Sequence, residues 1–198
     1  MTTKPLFLLA ISLLGVNANL TNAQIDSTKI NGDVSGIWTI NKSPYFIMGN
    51  ITVPTNDTLV IQSGVRVLFM GHYQFNVYGL LLAIGKSDSM IVFDGINPSV
   101  KWNGIQFSNA HDSCLIKYCE IQNGHASGSR ISGGGVSISN CSPKLIRNII
   151  RSNQADSYGG GIYIIGRSAS PVLDANHILG NTARDGGVKC TPKVGHSC

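Results

Sequence analysis

A four-residue unit, glycine followed by an apolar, a variable and an apolar residue, recurs along the second half of the chain and limits what the chain can fold into. It appears as Gly104-Ile105-Gln106-Phe107, Gly135-Val136-Ser137-Ile138, Gly161-Ile162-Tyr163-Ile164 and Gly187-Val188-Lys189-Cys190, at spacings of 31, 26 and 26 residues. A second unit follows each: Ser113-Cys114-Leu115-Ile116, Ser142-Pro143-Lys144-Leu145, Ser170-Pro171-Val172-Leu173 and Thr191-Pro192-Lys193-Val194. A third unit, Cys119-Glu120-Ile121, Asn148-Ile149-Ile150 and Asn176-His177-Ile178, closes each complete copy and leads to Asn123, Asn153 and Asn181. Three short segments in fixed order, separated by turn residues, mark a repeat architecture.

The alternation inside each unit has the period of an extended strand. Ile105 with Phe107, Val136 with Ile138 and Ile162 with Ile164 point to one face, while Gln106, Ser137 and Tyr163 point to the other. One copy cannot bury such a face alone. Copies stacked at the inter-strand spacing of about 4.8 Å place like residues on like and build a continuous core. The N-terminal half follows the same plan with weaker identity, in Ile51/Val53, Leu59/Ile61, Val65/Val67/Phe69, Phe75/Val77, Leu80/Leu82/Ile84 and Ile91/Phe93. Turn residues separate these groups at Asn56-Asp57, Ser63-Gly64, Gly71, Gly79 and 85–88. Composition agrees: charged residues are 13% of the chain, and Glu120 is its one glutamate. The expected fold is all-β, a single-stranded parallel β-helix of about five coils and the start of a sixth. A two-sheet sandwich would not keep the three units in constant order.

These features resemble the right-handed parallel β-helix of the pectate-lyase-like superfamily, in its secreted bacterial form. Residues 36–69 resemble the opening segment of such proteins, and Trp102-Asn103-Gly104-Ile105-Gln106-Phe107 is similar to their W-x-G-I-x-F rung. The resemblance covers about residues 36–194. It implies that the recurrent asparagines stack into amide ladders, Asn148 with Asn176 and Asn153 with Asn181, with Cys119 in the place of Asn148 one coil earlier. It also implies polysaccharide or surface glycan as the ligand class.

Residues 1–23 carry Lys4, an apolar run over 6–16 and small residues at Thr21 and Ala23, the pattern of a secretory signal peptide. The run is about half the roughly 20 residues that a transmembrane span requires. Residues 24–36 form a lead-in and 37–194 the β-helix. The stretch 195–198 reads as a truncated end, because residues 187–194 begin another coil and no amphipathic cap follows. The expected location is secreted or at the outer cell surface. The formal net charge is +5, from single scattered bases with no run and no aromatic interleaving, so no nucleic acid is expected as a partner. Five cysteines (Cys114, Cys119, Cys141, Cys190 and Cys198) show no zinc spacing, and several fall where small buried hydrophobes belong. Cys114 and Cys141 lie in neighbouring coils, offset by about two residues, which is unfavourable for a disulfide.

Lyases of this superfamily use clustered acids on Ca²⁺ and an Arg or Lys base, and its hydrolases use neighbouring aspartates. Neither constellation is visible, so no catalytic residue, metal ligand or cofactor is assigned, with Ca²⁺ belonging only to the lyase alternative. Ligand-binding candidates lie in the turns before the glycine runs: His125, Arg130, Asp156, Tyr158, Arg184 and Asp185, joined by Tyr163 on the adjacent strand. Their offsets place Arg130 and Asp156 on adjacent coils, close enough to pair. Tyr163, with Gln106 and Ser137 beside it, offers a shallow surface for a sugar ring. His111-Asp112 reads as a polar turn, since adjacent strand residues face opposite ways. The leading functional expectation is a glycan-binding or adhesion module. The alternatives are a polysaccharide lyase or hydrolase with missing or degenerate catalytic coils, and a ligand-free spacer.

Overall fold

The computed structural model describes residues 28–129, 131–166 and 169–191, the side chains of 189–191 excepted. The expected signal peptide, Arg130 and the expected truncated end lie outside the described residues. Those residues hold strands, one 3-10 turn at Ile40–Lys42 and no α-helix. Every pairing between named strands is parallel and joins one coil to the next, so the chain is an all-β parallel β-helix.

Each coil has three principal faces. The first is a six-stranded sheet of Gly36–Trp38, Thr58–Ile61, Leu80–Ile84, Leu115–Lys117, Lys144–Ile146 and Val172–Asp174. The second continues from residues 45–47 through Arg66–Phe69, Ile91–Gly95, Cys119–Gln122, Ile149–Arg151 and His177–Leu179. The third runs from residues 51–53 through Phe75–Val77, Ile105–Ser108, Val136–Ser139, Ile162–Ile165 and Val188–Thr191. The nine-residue strand Tyr45–Val53 turns the corner between the second and third faces, pairing with a different neighbour on each, and so joins them into one twelve-stranded sheet. Thr28–Asp33, within the lead-in, pairs along both parts of that strand at the first coil. From the fourth coil a short extra sheet, His125–Ala126, Gln154–Tyr158 and Thr182–Asp185, separates the second and third faces.

Register follows the repeat. Ile105, Val136, Ile162 and Val188 stack in one column, as do Leu115, Lys144 and Val172, and Glu120, Ile149 and His177. The inward columns close into a single core that includes the fully buried Phe69, Phe75, Phe93, Phe107 and Trp102. Trp102 stacks on Phe69 at 4.2 Å between ring centroids and donates its indole N–H to the Gln122 carbonyl at 2.8 Å, so the buried ring leaves no orphan donor.

One stretch of the core differs from the alternation read in sequence. Leu80, Leu82 and Ile84 face outward, while Leu81 and Ala83 are fully buried. With three consecutive leucines, period-two patterning fits either phase. Pairing decides it, since Leu81 lies beside Leu59 and Ala83 beside Ile61, both inward. The outward phase leaves Ile84 42% exposed.

Left-handed backbone forms the corners, again in columns: Tyr118, Arg147 and Ala175; Asn123, Ser152 and Gly180; Asn109, Asn140 and Gly166. Just beyond the first two corners the asparagines form the expected ladders. The Asn148 side-chain amide donates to Asn176 Oδ1 at 2.9 Å and to the Ile116 carbonyl at 3.0 Å, and its Oδ1 accepts the Cys119 N–H at 2.9 Å. Asn153 bonds in the same way to Asn181, the Ile121 carbonyl and the Gly124 N–H. Cys119 ends the first ladder, its thiol 3.5 Å from the Ala83 carbonyl where an asparagine amide would donate. The second ladder ends at Gly124. Asn123, aligned with Asn153 in sequence, falls one residue short: it occupies the left-handed corner and donates to Asp94 at 2.9 Å.

Two measurements check this arrangement. Leu81→Ala should cost about 3 kcal/mol in urea unfolding, as a core truncation does, and Leu82→Ala less than about 1 kcal/mol. Asn153→Ala strands a buried N–H and a buried carbonyl and should cost about 3 kcal/mol, against at most about 0.5 kcal/mol for the exposed turn variant Asn56→Ala.

Candidate functional site

The turns before the glycine runs are ordered by the short extra sheet. Its strands pass the glycine corners so closely that a Cβ on Gly134 would lie 2.0 Å from the Gln154 carbonyl oxygen, and one on Gly160 2.2 Å from that of Thr182. Glycine is therefore required by backbone against backbone, and the run 159–161 is a corner between coils. Within the strand Gln154–Tyr158 the register slips between Ala155 and Tyr158, a bulge that re-aims the intervening side chains.

Asp156 accepts from His125 Nε2 at 2.8 Å. Sequence offsets pointed to Arg130, which lies outside the described residues; the described partner of Asp156 is the imidazole one coil earlier. Tyr158 lies opposite Asp185, and its ring stacks with that of Tyr163, centroids 6.0 Å apart and planes 16° apart. Arg184 donates to the buried Ser157 hydroxyl at 3.2 Å and approaches Asp185 at 3.8 Å. That last pair is exposed on both sides and contributes little. The expected platform of Gln106, Ser137 and Tyr163 is interrupted: Ser137 is 6% exposed, with Gly133 folded against it. The aromatic surface therefore runs from Tyr163 toward Tyr158.

His72 joins this edge without any signal in the repeat, because it comes from a coil that lacks the extra sheet. Its Nε2 lies 2.8 Å from the His125 carbonyl and 3.2 Å from Ser127 Oγ, and the two imidazoles meet edge to face at 6.2 Å. A carbonyl only accepts, so His72 Nε2 carries the proton and cannot act as base toward Ser127. The contact positions a turn; it is not a nucleophile pair. His111 and Asp112 also serve turns, each accepting a different backbone N–H, from Ser113 at 3.0 Å and Ser142 at 2.7 Å.

Two further acids lie apart from this edge and from each other's partners. Asp94 holds Gln122 and Asn123, and Glu120 pairs with Arg151 at 2.6 Å. Among the described residues, no group of three or more His, Cys, Asp or Glu side chains is placed to hold a metal ion, and no helix is long and apolar enough to cross a membrane.

The corner column Tyr118, Arg147, Ala175 borders a groove of about 360 Å³ that was not anticipated. Ser87 and Met90 from an earlier turn, with Ile149 and His177 from the second face, complete it. Arg147 reaches back one coil to donate to the Tyr118 hydroxyl at 2.7 Å, a bond that raises its already high pKa. Its guanidinium lies 5.9 Å from the Tyr118 ring centroid, and the Lys117 ammonium lies 5.6 Å from the same centroid. The column was available in the repeat, as the residue before Cys119, Asn148 and Asn176. Only the coil stacking shows that a large aromatic, a long cation and a methyl group fill successive places.

Burial raises the pKa of all three described thiols, that of Cys114 to about 11 and that of Cys119 furthest. Compared with protein-family models, curated proteins and solved structures, the chain matches none.

Cys114, Cys119 and Cys141 are free and buried. They should resist a thiol reagent at pH 8 in the folded protein and react once denaturant is added, because only the thiolate attacks. Absorbance with a chromogenic disulfide reads both states.

Proposed function

We propose that this protein is a secreted or surface-displayed β-helix that binds polysaccharide or surface glycan, a non-catalytic relative of the pectate-lyase-like superfamily. The signal-peptide pattern over residues 1–23 supports export. The similarity of the rung at residues 102–107 to that superfamily supports the ligand class.

The observation that carries the reading is the near-parallel pair Tyr158 and Tyr163 on a rigid edge, flanked by His125, Asp156, Arg184 and Asp185. Sugars are recognised by an aromatic face under their C–H groups together with fixed donors and acceptors at the rim, and this edge carries both. The scaffold limits the ordering required on binding, because these side chains project from strands paired on successive coils.

A glycan array followed by titration calorimetry on the best ligand tests the reading. Tyr163→Ala and Tyr158→Ala should each weaken binding about tenfold or more, while Gln106→Ala leaves it within about twofold. An affinity indifferent to both tyrosines overturns the assignment. A rise in ultraviolet absorbance from polyuronate with Ca²⁺ would instead make the protein a lyase.

A further inference from the structure

The corner groove lies where the first face passes into the second, whereas Tyr158 of the extra sheet and Tyr163 of the third face lie beyond the far end of the second. Arg147 lines it, and Lys117, at the end of the strand just before the corner, lies near the same Tyr118 ring. Neither makes an ion pair among the described residues, although Asp174 lies close enough to Arg147 to act on it through space. Two positive charges near one ring favour an anion in their neighbourhood. The hydrogen bond to Tyr118 uses one arm of the guanidinium and fixes its position, while Arg147 and the His177 imidazole both line the groove. Where the next coil would supply another long corner side chain it supplies Ala175, which leaves the space open.

We propose that this groove is an oxyanion site. The Arg147 guanidinium holds a carboxylate, sulfate or phosphate group, the Lys117 ammonium adds its charge from beside the Tyr118 ring, His177 and Ser87 add hydrogen bonds, and Met90, Ile149 and Ala175 meet the apolar side of whatever carries the group. Arginine suits this role because its planar fork gives paired, charge-assisted hydrogen bonds to such groups. The site stands on residues separate from Tyr158 and Tyr163, so it can fail or hold independently of glycan binding at the tyrosine edge.

The test is an NMR titration of the full chain with inorganic sulfate, inorganic phosphate and glucuronate, with chloride at equal ionic strength and glucose as controls. Arg147 Nε–H and His177 ring signals should shift saturably with at least one oxyanion and with neither control. Arg147→Ala should weaken that binding at least about tenfold, Lys117→Gln to a smaller extent, and Tyr163→Ala should leave it unchanged. Ala175 already occupies the same left-handed corner one coil on, so Arg147→Ala is compatible with the backbone; an unchanged urea midpoint confirms that it folds. Equal affinity for sulfate and glucuronate identifies a site that reads the anion alone, and tighter glucuronate binding identifies a saccharide-borne acid. Shifts that chloride reproduces, no saturation with any oxyanion, or affinity unaltered by Arg147→Ala overturns the proposal.

Discussion

Parallel hydrogen bonding between equivalent residues of successive coils is the constraint on which everything else in this molecule depends. Once Ile105, Val136, Ile162 and Val188 are bonded in one column, each neighbouring position is also forced into a column. Inward columns are apolar except where a polar member finds its partners within the stack, as Asn148 does in the column it shares with Ile91 and Cys119. From Asn109 onward the corner columns bear left-handed backbone coil after coil, and they do so with aromatic, cationic, small and amide residues alike. The strain of those corners is compensated beside them: Asn148 and Asn153 satisfy backbone groups of the coil before and share their amides with the coil after.

The same stacking determines what the surface can do. A strand's outward residues form a row one coil apart, so the side chains brought together need not be near in sequence. His125 meets Asp156, and Tyr118 meets Arg147, across a full turn of the solenoid. Rigidity comes from the backbone ladder, and variety comes from the corners and the extra sheet, where coils differ in length. The two candidate surfaces therefore arise from the same device: a conserved backbone path carrying side chains that change abruptly from coil to coil. At one, Tyr158 and Tyr163 lie near-parallel. At the other, Tyr118 and Arg147 are followed by Ala175 and leave a groove.

Much of this was legible from the repeat, and its failures have definite causes. The columns of the last three coils and the buried cysteines follow from like stacking on like, and the asparagine ladders are those that the family resemblance implied. Leu80, Leu82 and Ile84 were misphased because an unbroken apolar run carries no alternation, and only pairing with Leu59 and Ile61 distinguishes the faces. Asn123 was misplaced because an asparagine suits both a ladder and a left-handed corner, and the bridge of Trp102 to Gly124 sets it one residue back. The His125–Asp156 contact and the entry of His72 depend on the bulge in the extra sheet and on a turn from an earlier coil, neither of which the spacing encodes. Ser137, outward by alternation, is covered by a loop that folds back at Gly133.

The sequence by itself determined the architecture: a period-two apolar pattern repeated in three ordered units has one economical way to bury its faces, which is to stack them in parallel. Tertiary structure alone decided which side chains of different coils touch. Contact across coils depends on corner geometry, bulges and inserted strands, and these shift by single residues that leave the hydrophobic pattern unchanged.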